Sequence, residues 1–364
     1  MASIAIYMPD FASGGVQRQH LRLAPHLIAA GHDLTFIVHR AEGALAEQVP
    51  AEAKVVSLGV KRTVSAIRPL ARYIKAARPD VLVANMGHPN LVALAANKVA
   101  GKASRIIASH HNHLTNQAKA EGGWQHKILP FLIRRFLRHA DAIVAVSEGV
   151  AADLARVADL PRDQIRVIYN PAVPDEVAML AAQPVKHRWL GESQPLVVAI
   201  GRLVPMKDFA MLIAAIADLP DARLLILGEG PLLDPLRAEA ERLGIANRVD
   251  FAGFQANPYA FLSRAQLFVL SSKYEGFGNV IAEALACGTP VVSTDCESGP
   301  SEILDGGRFG TLVPVGDTAA MTAAMNVALA GPHDRAALIA RGMEFSVSRA
   351  AAAYLALFDR VLGR

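Results

Sequence analysis

Four side chains in the second half of the sequence have the types and spacing to handle a ligand that is both anionic and rich in hydroxyls. Glu275 and Glu283, separated by seven residues, flank the turn Gly276-Phe277-Gly278 and the start of NVIAEALACG, a helix-like run that stops at Gly288. Glycines let a chain approach a ligand closely, and the free N–H groups of a helix start favour phosphate. A carboxylate beside them can accept from two vicinal hydroxyls or steady positive charge on a sugar ring. Upstream, GRLVPMKDF (201–209) follows the strand-like PLVVAI. Its Arg202 and Lys207 project from a loop where two cations can clamp a diphosphate. The plainer reading makes Glu283 a dipole partner of its helix, Glu275 a solvated loop residue, and Arg202 and Lys207 an exposed basic loop.

Other chemistry fits less well. A dinucleotide fingerprint needs G-x-G-x-x-G after a strand. Gly14-Gly15 lacks that spacing, Gly228-Glu229-Gly230 runs on to Leu233, and Gly276-Phe277-Gly278 runs on to Ile281. In HHNH (110–113), neighbouring side chains on a strand end point to opposite sides, which leaves His111 and His113 as a pair with no carboxylate near them in sequence. No metal site is expected. No D-x-D triplet occurs either, so protein cations rather than a bridging divalent ion would face the phosphates. Nucleic acid is disfavoured because the basic residues are not interleaved with stacking aromatics.

The elements that must position these residues follow an alternation of short β-branched runs and helix-length amphipathic stretches, the sign of parallel sheets wrapped by helices. In the first half IAIYM, LTFIVH, KVVSL, DVLVANM, SRIIAS and DAIVAVS read as strands. Helices are expected over 16–30, 66–77, 90–100, 125–139 and 149–157. Pro171, Pro174 and Pro184 then punctuate a linker, and the pattern restarts with PLVVAIG, ARLLILG, RVDFAG, AQLFVLS, TPVVST and GTLVPV. The chain of 364 residues thus reads as two doubly wound Rossmann-like domains. The expected boundaries are 1–170, a linker over 171–190, a second domain over 191–345, and a terminal helix over 346–364 packing back across the junction. Ligands of such sheets sit beyond the carboxyl ends of the strands.

Composition narrows the class further. Hydrophobic residues make up 52% and charged residues 19%, which fits a globular protein and excludes disorder. The first 170 residues hold 21 Lys and Arg against 12 Asp and Glu, or +9, whereas the remainder is at −5 within a total of +4. Two cysteines, Cys287 and Cys296, make no disulfide framework, so a reducing compartment fits. The start lacks a signal-peptide pattern, and no apolar run reaches the ~20 residues of a span. The expected location is cytoplasmic. KRTVSAIRPLARYIKAARP and WQHKILPFLIRRFLRHA are basic and amphipathic, a pattern that suits peripheral attachment to the anionic cytoplasmic face of a membrane.

Taken together, GRLVPMKDF, LGEGP, YEGFGNVIAEALACGTPVVST, SGPSEI and GTLVPVGD resemble family 4 of the retaining glycosyltransferases of GT-B fold, with Glu275 and Glu283 on its E-x7-E motif. In the first half SGGVQR and IIASHHN fit the family's glycine loop and histidine-bearing strand end. The resemblance implies two Rossmann-like domains facing across a cleft. It implies that Arg202 and Lys207 bind the donor diphosphate, that Glu283 takes the ribose hydroxyls, and that Glu275 with the backbone of Phe277, Gly278 and Asn279 holds the sugar and phosphates. Gly253 and Phe254 would meet the base, and Gly14 and Gly15 would approach the diphosphate. His111 would lie beside the sugar, with His110 the second choice. The catalytic set is thus His111, Arg202, Lys207 and Glu275. Met206 stands where the family commonly has Gln or Glu.

The expected function is metal-independent, retaining transfer of a sugar from a UDP- or GDP-linked donor, with no cofactor. SGPSEIL resembles enzymes of bacterial surface glycans, which favours a lipid-linked or polysaccharide acceptor. The alternatives are transfer to a small metabolite and a sensor that binds a nucleotide sugar without turning it over.

Overall fold

In the computed structural model, residues 1–12, 14–121 and 124–364 are described, with no side chain from 120 to 127 among them. The chain forms two compact units, one of residues 1–171 and 347–364 and the other of residues 172–346.

The first unit holds a parallel sheet of β1 (Ser3–Met8), β2 (Asp33–Val38), β3 (Lys54–Ser57), β4 (Val81–Asn85), β5 (Arg105–His110), β6 (Ala142–Ala145) and β7 (Ile165–Val167). The order is β3-β2-β1-β4-β5-β6-β7, so the sheet reverses direction between β1 and β4. Such a reversal leaves a crevice at the carboxyl ends of the two central strands. Helices cover both faces, which is why β4 is buried along its whole length and reads as an unbroken apolar run. The three-residue edge strand β7 and the helix Leu114–Glu121 lie outside the sequence expectation. The stretch 171–190 carries a short helix, Val177–Ala182, that is grouped with the second unit.

The last helix, Val347–Leu362, belongs to the first unit and packs beside Gly15–Ala29. It buries Tyr354, Leu357 and Phe358 among Ile4, Leu27 and Phe36. Deleting a ring such as that of Phe358 costs about 3–5 kcal/mol, so the C-terminus stabilises a sheet whose first strand begins at Ser3.

The second unit repeats the scheme with β8 (Leu196–Ile200), β9 (Arg223–Leu227), β10 (Val249–Phe251), β11 (Leu267–Leu270), β12 (Val291–Thr294) and β13 (Thr311–Val313). All pair in parallel in the order β10-β9-β8-β11-β12-β13, reversing between β8 and β11. Two doubly wound parallel sheets are what the alternating pattern predicts.

Candidate active site

The loops beyond β8, β9 and β10 are knitted by backbone hydrogen bonds. Gly201 N–H donates to Leu227 O, Leu203 N–H to Glu229 O and Gly228 N–H to Gly253 O, at 2.8–3.0 Å. They sit so close that a Cβ on Gly228 would lie 2.0 Å from Gly201 O, and one on Gly230 would lie 2.5 Å from Leu203 O. Glycine is therefore the residue that fits there.

On this platform the loop after β8 runs through the turn Pro205–Lys207. Ser271 Oγ–H donates to Lys207 O at 2.8 Å, and Lys273 N–H donates to Met206 O at 2.8 Å. These contacts bind the loops beyond β8 and β11 at the reversal of the sheet. They bring Lys207 Nζ to 2.5 Å from Glu275 Oε1, which also accepts from Ser272 Oγ at 2.7 Å. Thr294 Oγ1, at the end of β12, anchors the Ser272 carbonyl at 2.7 Å. The pair is nearly enclosed, with side-chain exposures of 14% for Lys207 and 10% for Glu275. Glu275 is thus no solvated loop residue. Arg202 is exposed and has no acidic partner among the described residues.

The helix Asn279–Ala286 begins after Gly278, whose φ of 90° favours glycine. The preceding turn is fixed by Gly299 (φ 95°), where a Cβ would lie 1.7 Å from Phe277 O. The Phe277 ring is buried edge-on against Phe345 with centroids 5.5 Å apart, which leaves its backbone as its polar surface. Glu283, one turn into the helix, is buried and accepts from Tyr259 Oη at 3.2 Å. Gly253 has φ 68°, and Phe254, next to it, is 57% exposed while its N–H donates to Glu229 Oε1 at 3.3 Å. The structure brings Lys207 and Glu275 into direct contact and sets Gly278 and Asn279 at one helix start.

Three candidates lie in the first unit. Gly14 and Gly15 open the helix Gly15–Ala29 beyond β1; Ser13 of SGGVQR lies outside the described residues. Gly15 is not demanded by the fold, since a Cβ there meets open space, whereas one on Gly14 would lie 2.2 Å from Oε1 of Gln17, whose Nε2 donates to Asp10 Oδ1. His111 follows β5 and is 8% exposed, with Nε2 at 3.1 Å from Ser109 Oγ and 3.3 Å from Asn85 Oδ1. Burial, reinforced by His20 and His110, holds it well below the usual histidine pKa of 6.5, so it is neutral at pH 7. Burial likewise pushes His110 down to about 4. His113 does have a carboxylate, supplied by the fold rather than the local sequence: its Nδ1 lies 3.4 Å from Asp153 Oδ2, on the helix Glu148–Ala158.

Sequence reasoning missed Ser272, Tyr259 and Thr294, which hold the two glutamates, and Asn85 and Ser109, which touch His111. Ser272, three residues before Glu275, and Ser109, two before His111, had a local signal.

Both halves match known families. "Glycosyl transferases group 1" matches residues 186–345 and "Glycosyltransferase Family 4" matches residues 13–176. The chain belongs to glycosyltransferase family 4 and is a glycosyltransferase of GT-B fold. It is 28% identical over 333 residues, 86% of this chain and 87% of the relative, to the N-acetylgalactosamine-N,N'-diacetylbacillosaminyl-diphospho-undecaprenol 4-alpha-N-acetylgalactosaminyltransferase of Campylobacter jejuni. It is 38% identical over 215 residues, 59% of this chain and 61% of the relative, to the lipopolysaccharide core biosynthesis glycosyltransferase LpsE of Rhizobium meliloti. Its fold is similar to that of Anabaena Alr3699/HepE, crystallised with UDP and glucose, at a TM-score of 0.79 and 21% identity over 99% of this chain and 100% of that one.

Proposed function

We propose that this glycosyltransferase moves a sugar, with retention and without a divalent metal, from a nucleotide-diphosphate donor to a lipid-linked or polysaccharide acceptor in surface-glycan synthesis. The observation that carries the donor half is the enclosed Lys207–Glu275 pair at the reversal of the second sheet, beside the helix that begins at Asn279. Cleaving a sugar–phosphate bond gathers negative charge on the departing diphosphate and positive charge on the ring. Fixed cations and N–H groups therefore bind the transition state more tightly than the ground state. In this reading Arg202, Lys207 and the N–H groups of Gly278 and Asn279 take the diphosphate, and Glu283 takes the ribose hydroxyls. Glu275 steadies the sugar. Phe254 offers an exposed ring to the base. Gly14, Gly15 and His111 serve the transfer from the first unit. The complex of HepE with UDP and glucose favours a uridine donor, and a GDP-linked donor is the second choice.

The acceptor half rests on two supports. The relatives from Campylobacter and Rhizobium carry an undecaprenol-linked acceptor and lipopolysaccharide core in their names. The first unit also presents the helix Ile67–Ala77, which buries Leu70, Ala71 and Ile74 while Arg68, Arg72 and Lys75 are exposed. On the helix Trp124–Phe136, Phe131 is 69% exposed. Cations and an exposed aromatic on surface helices suit an anionic bilayer face. No helix among the described residues is long and apolar enough to cross a membrane. The test is a panel of UDP- and GDP-sugars with and without a bacterial lipid extract. The reading expects nucleoside diphosphate release coupled to a glycosylated lipid product. A donor that binds but is never cleaved would overturn it.

A further inference from the structure

The buried polar cluster around His111 has a definite hydrogen-bond logic. Asn85, at the end of β4, is fully buried and its Nδ2 donates to Tyr7 O at 3.3 Å. A backbone carbonyl only accepts, so this contact fixes which end of the amide is oxygen. Asn85 Oδ1 therefore faces two imidazoles, His20 Nε2 at 2.6 Å and His111 Nε2 at 3.3 Å. An amide oxygen only accepts, so both imidazoles must carry their hydrogen on Nε2. Ser109 Oγ is a further acceptor for His111 Nε2, at 3.1 Å.

This accounting leaves His111 Nδ1 as a bare lone pair, and it has no protein partner although it is buried. A buried, unmatched acceptor costs free energy unless something else uses it. We infer that Asn85 and Ser109 are positioning residues that hold His111 as the Nε2–H tautomer, so that Nδ1 is presented as an acceptor to a hydroxyl of the sugar substrate. The substrate part of this inference rests on the function proposed above; the tautomer part rests on the contacts alone. Burial keeps the ring neutral, which agrees with a hydrogen-bonding role and not with a role as a fixed cation.

The test is nitrogen-15 NMR of the histidine side chains at pH 7, with His111 assigned through His111→Gln, alongside steady-state kinetics. The wild type should show a protonated Nε2 and a bare Nδ1. Ser109→Ala removes one of the two partners of Nε2, and should lower kcat about five- to tenfold with donor KM unchanged, the loss expected for one hydrogen bond. Asn85→Leu should produce a mixture of tautomers and a fall in kcat of at least about tenfold, since a wrong histidine tautomer is costly. Asn85→Asp, which keeps the acceptor, should restore the Nε2–H form. A proton on Nδ1 in the wild type would overturn the inference, as would an unchanged nitrogen pattern and kcat in both Asn85→Leu and Ser109→Ala. If the protein transfers no sugar yet shows the expected tautomer, the proposed function fails while the positioning of His111 stands.

Discussion

Lys207 and Glu275 lie 68 positions apart in sequence, and the structure sets Nζ 2.5 Å from Oε1 inside a nearly enclosed loop cluster. Each neutralises the other, and Ser272 fills a further acceptor site on Glu275. A buried charge whose partner is removed is costly, about 3–5 kcal/mol, whereas losing both partners together costs less than the sum. Glu275→Ala and Lys207→Ala should therefore each lower the denaturation midpoint markedly, and the double variant should fall short of additivity by more than about 1 kcal/mol. Urea titrations of the four proteins check this. Strict additivity would mean that the pair is not coupled.

For turnover, the two members differ. Lys207→Ala removes a cation from the proposed leaving-group site and should lower kcat by about 100- to 1000-fold, the usual effect of losing one such transition-state contact. Glu283→Ala should raise the donor dissociation constant more than it lowers kcat, because ribose hydroxyls do not change during transfer. His111→Ala should do the reverse, slowing turnover with donor binding largely kept. Tyr259→Phe frees Glu283 from a 3.2 Å hydrogen bond and should have a milder form of the Glu283 effect. Isothermal titration with the donor, set beside initial rates, separates these cases.

Gly299→Ala should abolish donor binding while leaving most of the fold. The added methyl would lie 1.7 Å from Phe277 O at a residue whose φ is 95°, so the turn ahead of Gly278 must move. Gly15→Ala, where a methyl meets open space, should fold normally and, because Gly15 stands in the proposed diphosphate site, serves as the control for folding alone. Circular dichroism and nucleotide titration of the two variants make the comparison.

Much of this was legible in the sequence, and what was missing has physical reasons. β-branched runs separated by helical periods marked two doubly wound sheets, and Glu275, Glu283, Arg202 and Lys207 stood out because charge next to glycine after a strand has few structural uses. β7 escaped because its apolar run, IRVIYNPAVP, continues straight into the prolines of the linker. Ser272, Tyr259 and Thr294 escaped because hydroxyl residues next to a strand or helix look alike until the fold shows what they hold. Asn85 escaped for a stronger reason: it lies 26 positions before His111, and only the pairing of β4 with β5 brings the two together. Asp153 and His113 show the opposite limit, where an apparently carboxylate-free histidine gains one from a helix 40 residues on.

Acid should weaken the first unit through its buried histidines. Burial pushes His20 and His110 from 6.5 down to about 4. Above pH 6.5 the imidazoles are neutral in both folded and unfolded chains, and stability is fully present. Between pH 6.5 and about 4 the unfolded chain binds protons that the folded one refuses, so stability is lost as the pH falls. A shift of that size corresponds to roughly 3 kcal/mol for one isolated group, and to less than the sum for neighbours that interact. Denaturation midpoints from pH 7.5 to 4.5 should fall steeply, and His20→Gln should flatten the slope.

Calorimetric titration of UDP and GDP into the wild type, Arg202→Ala and Lys207→Ala tests the central claim, that the second unit grips a nucleoside diphosphate at the reversal of its sheet, most directly. The wild type should bind one of the two nucleotides, and each variant should bind it at least about tenfold more weakly, as expected when a charge-assisted contact is lost. Equal affinity in all three proteins, or no binding of either nucleotide to the wild type, would contradict the account.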